Sequence, residues 1–153
     1  MKLTDILDQD LILPNLAAPT QLRAFEEMAG ALSHKLGMDA KLIVDALADR
    51  ENTRSTALEK TGVAIPHARL NGIPGFSILF ARSKSGIDFK AEDGKPTHLF
   101  FLIVGPSNEP GDYLKLLARV ARLCHNEEFR AKLIQAPTAD VIREIITQED
   151  LKG

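Results

Sequence analysis

A single cysteine, Cys124, is present among the 153 residues of the chain. No internal disulfide can form from it, and a metal centre built on several thiolates is excluded. Excess charge of one sign is missing too: 19 basic and 21 acidic side chains leave a formal net charge of -2 and a pI near 6.1. Neither nucleic acid nor an anionic membrane would attract the chain as a whole. Long apolar runs are absent. The longest, Leu99 to Val104, falls far short of the roughly 20 residues needed to span a bilayer. Asp5 and Asp8 interrupt the first residues, where a secretory signal needs an unbroken apolar stretch. These features predict a cytoplasmic protein with no membrane insertion and no nucleic-acid partner. The sequence also lacks internal repeats, low-complexity segments and a glycine-rich nucleotide-binding loop. Its four histidines are scattered without ligand spacing, so no metal site is predicted.

A hydrophobic content of 44% and a charged content of 26% suit one folded domain with a sizeable core over residues 1–153. The most informative stretch is Gly62-Val63-Ala64-Ile65-Pro66-His67-Ala68-Arg69, where a short β-type run ends at a proline followed by an imidazole. Pro66 fixes its own φ, lacks a backbone donor and biases Ile65 towards extended geometry, which predicts that the ladder stops there. His67 is then presented at a strand end with little backbone freedom. With an ordinary pKa of about 6.5 it is mostly neutral near pH 7, so one ring nitrogen can attack while the other donates a hydrogen bond. A histidine at such a position is, on its own, more often a turn or rim residue.

Around this stretch the spacing alternates between strands and helices. Asp10 to Leu13 reads as a short strand closed by Pro14 and Asn15. Thr20 can cap a helix that buries Leu22, Phe25, Ala29, Leu32 and Leu36 and ends at Gly37. Asp39 can cap a second, with Leu42, Ile43, Ala46 and Leu47 inward and its end at Asp49-Arg50-Glu51. Phe76 to Ala81 and Leu99 to Val104 read as buried strands, the latter central, with a turn region around Gly86 to Phe89 between them. A long helix follows, carrying Tyr113, Leu116, Leu117, Val120, Leu123 and Cys124 at helical spacing. Asn126 then starts a helix burying Phe129, Leu133 and Ile134, and Thr138 starts the last with Val141, Ile142, Ile145 and Ile146. The order predicts an α/β sandwich, a mixed sheet flanked by helices.

The run Arg50-Glu51-Asn52-Thr53-Arg54-Ser55-Thr56, followed by Ala64-Ile65-Pro66-His67 and later by Asp93-Gly94-Lys95-Pro96 before an apolar strand, resembles the enzyme IIA proteins of the fructose, mannitol and nitrogen-regulatory class. These belong to the bacterial phosphoenolpyruvate phosphotransferase system. The resemblance implies a phosphoryl carrier, phosphorylated on His67 and using no metal or other cofactor. Its donor would be the phosphocarrier protein HPr or its nitrogen-branch counterpart, and its acceptor an enzyme IIB or a regulatory target. Arg50, Ser55 and Thr56 are then expected to hold the phosphoryl group; from the residues alone, an ion pair of Arg50 with a neighbouring acid and turn roles for Ser55 and Thr56 are the alternatives. Two departures stand out. Ala57 to Thr61 makes the approach to Gly62 one residue longer than in the family pattern, and Tyr113 occupies the place of a second histidine, as a residue lining the site. Without an attached IIB or permease segment, the stand-alone regulatory type is the first expectation. A sugar-specific enzyme IIA and a binding module that no longer accepts phosphate are the other two.

Overall fold

The computed structural model describes residues 2–152, so the expected domain limits at 1 and 153 lie outside the described residues. A six-stranded sheet runs through its middle in the order β1 (Leu7–Leu13), β5 (Ser77–Ile87), β6 (Thr97–Pro106), β3 (Val63–Ala64) and β2 (Ala57–Leu58), while β4 (His67–Leu70) also pairs with β6. β5 is antiparallel to β6 and β2 to β3, whereas β1 runs parallel to β5 and both β3 and β4 run parallel to β6, so the sheet is mixed as expected. Strict alternation along β6 divides the core. Phe100, Leu102 and Val104 face α1 (Gln21–Leu36) and α2 (Ala40–Thr53), while Leu99, Phe101 and Ile103 face α3 (Pro110–Cys124), α4 (Glu127–Gln135) and α5 (Ala139–Leu151). The α/β sandwich follows from that period of two.

The helix limits follow the capping residues. Thr20 and Thr138 accept from Arg23 N and Val141 N, Asn126 accepts from Phe129 N, and Gly37 closes α1 at φ 65°. Four expected core residues are instead exposed: Leu22, Leu42, Ile134 and Val141. Each flanks a stripe already filled by other residues, as Ala24 and Met28 do beside Phe25 in α1.

The strands differ from expectation at three places. β1 begins at Leu7 rather than Asp10, and β5 continues to Ile87 through the expected turn, with a register shift after Arg82 and Gly86 at φ 85°. The ladder does not stop at Pro66. β3 and β4 lie end to end along β6, and Pro66 costs one donor there while its carbonyl still accepts from Ile103 N at 2.9 Å. Among the described residues, His67 therefore opens a strand that pairs with β6 alone and leaves its other side free of the sheet.

Candidate functional site

His67 sits half-buried at the start of β4, in register with Ile103. Ala68 and Leu70 alternate into the core beneath α1 and α2. His67 is held at both ring nitrogens. Nδ1 lies 2.8 Å from the Ile65 carbonyl, and Arg50 Nε donates to Nε2 at 3.0 Å. A carbonyl only accepts and a guanidinium only donates, so the proton is on Nδ1 and the lone pair on Nε2. Burial holds the imidazole pKa below its ordinary value; the bond to Ile65 opposes this and the Arg50 charge adds to it. The ring is thus of fixed tautomer, biased to its neutral form, with its lone pair on Nε2 in the cleft.

Arg50 stands in the last turn of α2, which runs on to Thr53 rather than ending at Asp49 to Glu51. Its Nη1 donates to the Arg54 carbonyl at 2.8 Å, so two of five N–H donors are used in orienting the fork. The expected alternative, an ion pair with Asp49 or Glu51, does not form among the described residues. Tyr113, from the first turns of α3, comes to the same place from the other face of the sheet. Its ring is 5.8 Å from that of His67, edge to face at 63°, and is nearly parallel to Phe76. The Arg69 guanidinium stands 6.0 Å from the Tyr113 ring centre. Burial raises the phenol pKa well above its ordinary value, against the pull of Arg69 and Arg50. Arg50, His67, Arg69 and Tyr113 line an open cleft of about 720 Å³, with Ala46, Ser107, Pro110 and Leu114 on its walls.

Ser55 and Thr56 are engaged elsewhere. The Ser55 hydroxyl donates to the Phe89 carbonyl at 2.6 Å, and Thr56 Oγ1 donates to Glu51 at 2.8 Å; neither residue lines the cleft. The longer stretch from Ala57 to Thr61 forms one arm of a tight hairpin with β3, with Lys60 at φ 66° and its N–H on Asp93. Sequence reasoning missed two participants, the Ile65 carbonyl and Glu51. A backbone carbonyl leaves no mark in the residue pattern, and Glu51 reads as a partner for Arg50. Burial raises the Glu51 pKa, opposed by the hydrogen bonds from Thr56 and by Arg50. Among the described residues no group of three or more His, Cys, Asp or Glu side chains is placed to hold a metal ion, and no helix is long and apolar enough to cross a membrane.

An α/β sandwich that presents one imidazole, held by an arginine, in an open cleft beside a free strand edge defines the class of protein. Residues 5–149 match the family described as "Phosphoenolpyruvate-dependent sugar phosphotransferase system, EIIA 2". The chain belongs to that family. It is 34% identical over 146 residues to a "Nitrogen regulatory protein" of Bradyrhizobium diazoefficiens, covering 95% of each chain. It is also 34% identical over 152 residues to a "PTS system fructose-specific EIIABC component" of Bacillus subtilis, covering 98% of this chain but only 24% of that longer protein. Among solved structures, the nitrogen regulatory protein IIA-Ntr from Neisseria meningitidis superposes with a TM-score of 0.88 at 31% identity, covering 94% of this chain and 97% of the other.

Proposed function

We propose that the protein, one domain over residues 1–153, is a phosphoryl carrier that accepts a phosphoryl group on Nε2 of His67 from phospho-HPr or its nitrogen-branch counterpart. The observation that carries this reading is the pair of bonds on the imidazole, Nδ1 to Ile65 and Nε2 to Arg50. The Nε2 lone pair attacks phosphorus in line, the Nε2–P bond forms as the donor's N–P bond breaks, and the donor imidazole leaves with its electron pair. The proton stays on Nδ1, and its hydrogen bond to the Ile65 carbonyl strengthens as the ring gains positive character. Arg50 moves its Nε donor from Nε2 to a phosphoryl oxygen and stabilises the charge on the equatorial oxygens. Tyr113 closes one wall and offers its hydroxyl to the same group. Ser55 and Thr56 would join only by releasing Phe89 and Glu51. Leu114, exposed on the cleft wall, gives the partner protein an apolar contact.

The regulatory type, acting through contacts with a target protein that depend on phosphorylation, is supported by the near full-length match to nitrogen regulatory relatives. Transfer to an enzyme IIB for sugar uptake is the second reading, supported by the equal identity to the fructose-specific relative. The test is incubation with phosphoenolpyruvate, enzyme I and HPr, the nitrogen-branch donor being tried in parallel, followed by intact mass. One acid-labile phosphoryl group on the wild type and none on His67→Ala is the expected result. An unmodified wild type with every donor would turn the reading towards a binding module without transfer.

A further inference from the structure

Glu51 is a buried carboxylate in the last turn of α2, one position from Arg50 and 8% exposed. Both of its oxygens are taken by one residue. Thr56 N donates to Oε2 at 2.6 Å and Thr56 Oγ1 donates to Oε1 at 2.8 Å. The Thr56 carbonyl then accepts from Ile65 N at 3.1 Å, and the Ile65 carbonyl accepts from His67 Nδ1 at 2.8 Å. Carboxylate, threonine, Ile65 backbone and imidazole therefore stand in series.

We propose that Glu51 is a positioning residue for His67, fixing through Thr56 and the Ile65 backbone the carbonyl that keeps the imidazole proton on Nδ1 and so leaves the lone pair on Nε2. Thr56 is gripped at its N–H and its hydroxyl by one carboxylate, which restricts both its backbone and its χ1 and so aims its carbonyl at Ile65. Ile65 is confined further by the proline that follows it. With its amide tied to Thr56, its carbonyl has little freedom to turn from the ring. The helix end that carries Arg50 and the strand pair that leads to His67 are also joined by this one side chain. Glu51 thus sets the separation of nucleophile and guanidinium as well as the tautomer. An ordinary strut between helix and hairpin would hold the fold without any effect on which ring nitrogen carries the proton.

The functional half of this inference rests on the phosphocarrier reading, whereas the tautomer is a property of the resting protein. The test is nitrogen NMR of the His67 ring in wild type, Glu51→Ala, Glu51→Gln and Thr56→Val, beside the rate of phosphorylation by phospho-HPr. Wild type should show one tautomer, with the proton on Nδ1. Glu51→Ala should show exchange between the two tautomers and a rate lower by about tenfold or more, as when the hydrogen-bond partner of a functional imidazole is lost. Glu51→Gln keeps an acceptor for Thr56 N and should recover part of both signals. Thr56→Val removes one of the two bonds with little change of volume, and it decides the matter should Glu51→Ala not fold. A single Nδ1–H tautomer with wild-type rate in the folded variants would overturn the inference. Absence of phosphorylation in every protein, wild type included, would count against the carrier reading alone, since the ring spectra still decide the role of Glu51.

Discussion

Arg50 Nε donates to the Nε2 lone pair of His67 at 3.0 Å while Nη1 of the same guanidinium holds the Arg54 carbonyl at 2.8 Å. On the proposed function the nucleophile is thus capped by the group that would stabilise its product, and transfer would require only that one N–H be handed from nitrogen to a phosphoryl oxygen. Arg50→Ala is expected to lower the rate of phosphoryl acceptance roughly 100-fold, the scale of losing one fixed donor to a developing charge. Arg50→Lys should recover only part, because an ammonium cannot bond the Arg54 carbonyl and the phosphoryl group in the same fork. Quenched time courses read by intact mass would check this, and a wild-type rate for Arg50→Ala would remove Arg50 from the mechanism.

The pH dependence follows from the same pair. Burial lowers the His67 pKa, the Ile65 bond raises it and Arg50 lowers it again, with burial dominant. Phosphoryl acceptance should therefore rise with pH and level off, with its midpoint below the ordinary histidine value of about 6.5. Stability has the same sign. The unfolded chain takes up this proton before the folded one, so the contribution of His67 to stability is full above the unfolded pKa and is lost as pH falls through the folded one. Titration of the ring by NMR checks the midpoint; a value above 6.5 would contradict the assignment. Arg50→Ala should move it up only slightly.

Tyr113 separates packing from chemistry. Tyr113→Phe keeps the edge-to-face contact with His67 and the stacking on Phe76, so it should cost no more than about tenfold in rate, the value of one hydrogen bond. Tyr113→Ala opens a void beside two aromatic rings and should cost about 3 kcal/mol of stability in urea unfolding. Because burial raises the phenol pKa, no alkaline limb from Tyr113 is expected in the rate profile below pH 9. A limb there that vanishes in Tyr113→Phe would refute this.

The candidate site and the fold are legible in the sequence where constraint is local. Pro66 marks the histidine, the unbroken apolar run from Leu99 to Val104 marks the central strand, and Thr20, Asn126 and Thr138 mark helix starts because capping needs only a hydroxyl or amide at one position. Arg50 and His67 are brought together by α2 packing against β4, which the spacing allowed without specifying. The fate of Ser55 and Thr56 was not legible, since a hydroxyl donates as readily to Phe89 or Glu51 as to phosphate. The exposure of Leu22 and Leu42 was equally hidden: helical period gives the direction of a stripe and not the width of the sheet beneath it.

Asp150 gives a stability prediction away from the cleft. Its side chain is wholly buried near the end of α5, where Oδ1 accepts from Arg119 Nε at 2.6 Å and Oδ2 from Leu3 N at 2.8 Å. One carboxylate therefore ties α3, α5 and the N-terminal turn at Leu3–Asp5. Asp150→Ala takes the counter-charge from a partly buried guanidinium, whose Nη2 keeps only the Asp150 carbonyl, and leaves Arg119 Nε–H and Leu3 N–H without acceptors; it is expected to cost about 3–5 kcal/mol. Asp150→Asn is nearly isosteric but turns an N–H donor towards Arg119 or Leu3, so it should also destabilise. Replacing both Asp150 and Arg119 with apolar residues of similar volume should recover much of the loss, because the penalty comes from the unpaired charge rather than from the absence of the pair. Urea unfolding of the single and double variants checks the cycle, and a change below about 0.5 kcal/mol for Asp150→Ala, the range of ordinary surface substitutions, would mean that the ion pair contributes nothing to holding the N-terminal turn.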